Sequence, residues 1–127
     1  MKKTGLLWVL LLMANQPAWA DQLVESYVAR LSANDHFNSS GQRLTSPALI
    51  IRQDRANFHK FGMRDAEDQN DYFFQNASNR ELLQQFLSRG QTSPGAYRSI
   101  VNGQPLIRVD IYRTGGGDYV NVDIIGE

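Results

Sequence analysis

In Leu106 to Arg113 apolar and polar side chains alternate, with Ile107, Val109 and Ile111 on one face and Arg108, Asp110 and Tyr112 on the other. That is the period of a half-buried strand. Tyr119 to Ile125 repeats it, setting Val120, Val122 and Ile124 against Tyr119, Asn121 and Asp123. The intervening Thr114-Gly115-Gly116-Gly117-Asp118 suits a hairpin, because glycine reaches positive φ without a Cβ clash. A third strand is expected over Tyr97 to Val101, turning at Asn102-Gly103 into a strand that opens at Pro105, where a missing ladder N–H is tolerated. Ala96 to Ile125 therefore reads as three antiparallel strands sharing one apolar face. Burial of such side chains contributes about 1.5–3 kcal/mol each, so the face needs cover, and the cover has to come from upstream.

Upstream, Leu23, Val24, Tyr27, Val28 and Leu31 recur at helical spacing opposite Glu25, Ser26 and Arg30, which predicts an amphipathic helix over Gln22 to Leu31. A polar, turn-rich segment, Asn34 to Gly41, follows with Phe37 embedded in it. Ser46-Pro47 opens a second helix, with serine at the N-cap and proline at the first helical position, and Gly62 closes it after Phe61. On this helix Ile50, Ile51, Phe58 and Phe61 fall on one face with Asp54 among them, while Arg52, Arg55 and His59 gather opposite. An unpaired buried carboxylate costs several kcal/mol, so Asp54 has to meet an arginine, backbone N–H groups or the edge of the core.

Met63 to Gln75 is acidic and then aromatic, with Asp65, Glu67, Asp68 and Asp71 ahead of Tyr72-Phe73-Phe74. Counted from Asp65 it lacks the glycine and glutamate of an EF-hand loop. Ser78-Asn79-Arg80-Glu81 is a capping-box pattern opening a third helix, which carries Leu82, Leu83, Phe86 and Leu87 and ends at Gly90. Gln91 to Gly95 reads as the linker to the sheet. The expected fold is α+β: three N-terminal helices packed on one face of a C-terminal three-stranded antiparallel meander, with the polar sheet face open.

Charge and composition narrow the setting. Lys2 and Lys3, the apolar run Leu6 to Ala14 and the small-residue site Ala18-Trp19-Ala20 have the form of a secretory signal over residues 1–20, cleaved after Ala20. The run breaks at Asn15, Gln16 and Pro17, short of the roughly 18 apolar residues of a membrane span, so no anchor is expected after cleavage. The short double-lysine start favours the periplasm, with full secretion as second choice. Residues 21–127 then form one small domain, with 11 basic against 13 acidic side chains. A net charge of −2 argues against a nucleic-acid binder, which would carry a basic footprint. The chain has no cysteine, which removes thiol catalysis, thiolate metal sites and disulfide staples.

Two groups of residues remain as candidate chemistry. His36 and His59 are the imidazole bases, and with Asp68 or its acidic neighbours they define an alternative reading as a small hydrolase or metal-assisted enzyme. Arg52 and Arg55, beside His59, suit an anionic ligand. The outward sheet face offers Tyr112, Tyr119, Arg108 and Asn121, residue types enriched in binding hot spots. No nucleophile elbow, zinc-binding helix or phosphate-cradling glycine loop occurs, and no motif implies a cofactor. The primary expectation is a small exported, non-enzymatic binding, accessory or inhibitor protein whose partner is another envelope or secreted protein. An open sheet edge would also permit a dimer by strand addition.

Overall fold

The structure, a computed structural model, describes residues 21–127; the expected signal, residues 1–20, lies outside the described residues. The chain is α+β with a three-stranded antiparallel sheet, but not with three N-terminal helices. It begins with strand β1 (Gln22–Arg30), continues through α1 (Pro47–His59), α2 (Ala77–Glu81), α3 (Leu83–Arg89) and α4 (Pro94–Asn102), and closes with β2 (Leu106–Thr114) and β3 (Gly117–Gly126). Sheet order is β1-β2-β3.

The hairpin β2–β3 forms in the expected register, pairing Val109 with Val122 and Tyr112 with Tyr119. Ile107, Val109, Ile111, Val120 and Val122 are buried. Its connection is tighter than the glycine run suggested, with only Gly115 and Gly116 between the strands and Gly117, at φ 124°, inside β3. Thr114 Oγ1 closes the turn, accepting from Gly116 N and donating to Gly117 O.

Two expectations are overturned, and they exchange elements. Gln22 to Leu31 is not a helix: β1 pairs antiparallel with β2, matching Tyr27 to Val109 and Ala29 to Ile107, with an irregularity between Leu23 and Glu25. Tyr27, Ala29 and Leu31 point into the core, and the exposed Leu23 and Val24 supplied the misleading helical spacing. Tyr97 to Val101 is not a strand but lies in α4, capped by Ser93, whose Oγ accepts from Ala96 N at 3.1 Å, with Pro94 at the first helical position. Asn102-Gly103 ends this helix instead of turning a hairpin.

The helix at Ser46-Pro47 forms as expected, Ser46 Oγ accepting from Leu49 N. The third predicted helix is split at Leu82 and starts at Asn76, whose side chain accepts from Ser78 N, so Ser78 lies inside the helix and is not its cap. Gly90 ends α3, though not in a left-handed conformation. A Cβ there would collide with the carbonyl oxygen of Val120, so glycine lets the chain pass against β3.

Both sheet edges are partly covered. Along β3, Gln91 N donates to Asn121 Oδ1 (2.7 Å) and Val122 N to Thr92 Oγ1 (3.0 Å). Along β1, Arg30 N donates to Asp68 Oδ1 (2.8 Å), Val28 N to Gln69 Oε1 (3.0 Å) and Gln69 N to Val28 O (2.8 Å). Edge groups satisfied in this way offer little template for strand addition.

Candidate functional site

The most strongly built polar centre lies under α1. Arg55 is fully buried between the rings of Tyr27 and Phe58, its guanidinium carbon 4.2 Å and 4.5 Å from their centroids. Its Nε donates to Asp54 Oδ2 (2.8 Å), and its Nη1 to Asp71 Oδ1 (2.8 Å) and Gln69 O (3.1 Å). Asp71 Oδ1 also meets His59 Nε2 at 2.7 Å, and Asp71 Oδ2 accepts from Phe74 N at 2.6 Å. Among the described residues, Arg55 Nη2 and the Tyr27 hydroxyl have no hydrogen-bond partner.

Arg55 therefore does not share an outward face with Arg52. It answers the Asp54 conflict from the adjacent position, and its carboxylate partners come from α1 and from the acidic segment. Burial pushes the Asp54 carboxyl well above the usual aspartate range, Arg55 pulls it back, and the neighbouring Asp35 adds to the rise. Burial likewise raises Asp35, which Asn57 and the backbone of Ser32 partly stabilise as the anion. Cation–π stacking suits guanidinium over ammonium at such a site.

Of the alternative catalytic set, His59 meets an acid of the segment 65–71, Asp71, while His36 and Asp68 are hydrogen-bonded elsewhere. His36 is buried, with Nδ1 2.8 Å from Ser32 O and Nε2 2.8 Å from Ile100 O, joining the turn after β1 to α4. His59 is bonded to Asp71, with 7% of its side chain exposed. Asp68 spends Oδ1 on Arg30 N and Oδ2 on Asp65 N. Each of the three holds a different part of the chain together, and no hydrogen bond links any two of them.

The outward sheet face has a different character. Tyr112 and Tyr119 stack with centroids 5.0 Å apart and an interplanar angle of 13°. The Tyr119 hydroxyl donates to Asp21 Oδ2 at 2.7 Å, and that carboxylate pushes its pKa up to about 12. Arg108 bridges to Asp123 at 2.9 Å and approaches Asp110 at 3.5 Å, while Ser26 Oγ donates to Asp110 Oδ1 at 2.6 Å. Leu23, Val24 and Ile125 are exposed by 56%, 41% and 44%. Asn121 is committed to Gln91 at the strand edge, and of the six expected binding residues Arg55 too is taken into the fold, by Asp54 and Asp71. Leu23 and Val24 were missed in this role because they were assigned to a helix.

Arg52 remains on the surface, 3.9 Å from Glu81. Comparisons with protein-family models, with curated proteins and with solved structures each found no match.

Proposed function

We propose that the protein is a non-enzymatic binding module, an accessory or inhibitor protein of the cell envelope, exported by its first twenty residues to the periplasm and docking another envelope protein on its outward sheet face. The observation that carries this reading is the stacked Tyr112–Tyr119 pair on the side of the sheet away from the helices. Exposed Leu23, Val24 and Ile125 add apolar area, and Arg108, Asp110 and Asp123 supply charge. Aromatic anchors with a charged rim are the anatomy of a protein interface. The hydrolase reading is weaker, because His36, His59 and Asp68 are each spent on holding the fold.

The test is co-purification of envelope proteins with the wild-type protein and with Tyr112→Ala/Tyr119→Ala. Tyr112 and Tyr119 are half-buried, and such an aromatic pair contributes only about 0.5–1.5 kcal/mol beyond its area, so the double variant should fold. It should lose a partner that the wild type retains stoichiometrically; retention of the same partner by both removes the tyrosine face from the interface.

A further inference from the structure

The face of α1 turned away from the core carries a second surface. Ile50, Ile51, Asp54, Arg55 and Phe58 are buried on one half of the helix, whereas Leu49, Arg52, Gln53, Ala56 and Lys60 line a cleft on the other. This cleft, of about 470 Å³, runs between α1, the segment around Ser39 and α2. It continues into a second cleft of about 490 Å³, with Asn38, Ser39, Gln53 and Phe61 common to both.

The two ends differ in chemistry. Among the described residues, no charged side chain lines the second cleft. Phe37, Phe61 and Met63 line it with 43%, 48% and 45% of their surfaces exposed. Between them lies a pre-set amide. Asp35 Oδ1 accepts from Asn57 Nδ2 (2.9 Å), and Asn57 Oδ1 accepts from Gln53 Nε2 (2.9 Å). Gln53 is thereby fixed with Oε1 unengaged among the described residues, and holding a polar group in place before binding lowers the ordering cost of recognition. The first cleft brings three cations, Arg52, Lys60 and Arg80, against one carboxylate, Glu81. Arg80 is buried and donates to Phe74 O, but Arg52 and Lys60 are exposed, and Lys60 Nζ lies 5.3 Å from the Phe61 ring centre.

We propose that this groove binds a carboxylate-bearing oligosaccharide. Pyranose C–H faces sit on the rings of Phe37 and Phe61, hydroxyl groups pair with the amides of Gln53 and Asn34, and carboxylates lie beside Arg52 and Lys60. The negative faces of aromatic rings attract polarised C–H groups, and a side-chain amide matches a hydroxyl because it both donates and accepts. A peptide is the poorer fit: among the described residues no residue of β1, β2 or β3 lines the cleft, and the single Phe37–Arg43 bridge beside it is too short to pair an extended main chain.

The test is a panel of oligosaccharides containing uronate, sialate or muramate units, printed beside their neutral counterparts and a glutamate hexapeptide and probed with the purified protein. At least one carboxylated saccharide should bind, about tenfold or more tighter than its neutral counterpart and than the peptide, with affinity falling as salt rises. Phe61→Ala should weaken it about tenfold, and Gln53→Glu, which sets a negative charge among the amides, by at least as much. Arg98→Ala, at an exposed position on α4 outside the lining of both clefts, should leave it unchanged. Absence of binding to every carboxylated saccharide, equal binding of the peptide, or unchanged affinity in folded Phe61→Ala and Gln53→Glu would overturn the assignment.

Discussion

Arg55 Nη1 donates to Asp71 Oδ1 at 2.8 Å with both side chains wholly buried, so a residue of α1 and one of the acidic segment are locked together beneath the surface. The same guanidinium holds Asp54. One cation thus anchors two carboxylates, and its removal should be felt by both.

Arg55→Met leaves buried Asp71 without its counter-charge and buried Asp54 without its donor, which costs about 3–5 kcal/mol. For a domain of this size each kcal/mol moves the melting temperature by roughly 4–8 °C, so a fall of more than about 10 °C is expected. Arg52→Met, removing an exposed side chain 3.9 Å from Glu81, should stay within about 0.5 kcal/mol. Thermal melts of the two variants make the comparison; equal losses would mean that the buried cluster does not anchor the fold.

The acid side of that cluster sets a pH dependence. Asp54 has a folded pKa above its unfolded value of about 3.9, so the folded state holds a proton that the unfolded state releases. Stability from this group is present below the unfolded pKa and is lost as pH rises through the elevated folded pKa. Asp35 is raised too and acts in the same direction. In urea titrations from about pH 4 to pH 8, the stability of wild type relative to Asp54→Asn should decline as pH rises. A relative stability that grows with pH would show Asp54 held as the anion by Arg55.

His36 is expected to matter for folding and not for chemistry. His36→Leu leaves the carbonyls of Ser32 and Ile100 without the ring that now meets them at 2.8 Å each, and an unsatisfied buried acceptor costs about 1–3 kcal/mol. Urea unfolding should record a loss of that order, while the folded variant keeps its partner binding. A variant as stable as wild type would show that the contacts do not hold α4 to the turn after β1.

Two glycines of one chain should respond differently. Gly90→Ala drives a Cβ into the carbonyl of Val120, whereas at Gly115 a Cβ meets open space. Overpacking costs about 1–3 kcal/mol, so Gly90→Ala should lower the melting temperature and expose the β3 edge, raising self-association in sedimentation. Gly115→Ala should change neither by more than about 0.5 kcal/mol in stability.

The hairpin β2–β3 was legible because alternation of β-branched and polar residues has one structural solution. Helix α1 was legible from Ser46-Pro47. The same serine–proline signature stands at Ser93-Pro94 and opens α4, yet the Asn102-Gly103 hairpin signal and the strand expected ahead of it over Tyr97 to Val101 outweighed it. In β1 the inward residues are Tyr27 and Ala29, followed by Leu31 just past its end, and alanine at the centre weakened the period of two, while Leu23 and Val24 completed a period near 3.6 from the exposed side. Tertiary pairing with β2 overrode that local pattern.

At the candidate sites, Tyr112, Tyr119 and Arg108 were placed correctly by alternation alone. Arg55 was not, because helical geometry puts it near the boundary of the apolar face, and the aromatic slot between Tyr27 and Phe58 together with Asp54 and Asp71 draws it inside. The sequence spacing of Asp68 gave no sign that it would satisfy Arg30 N, thirty-eight residues away on β1.

The most direct measurement is photocrosslinking in the host cell, with a photoreactive phenylalanine analogue placed at Tyr112 on the sheet face and, separately, at Arg98, an exposed position on α4. A discrete adduct with one envelope protein from position 112 and none from position 98 is the expected result. No adduct from position 112, or the same adduct from both positions, would contradict docking through the sheet face.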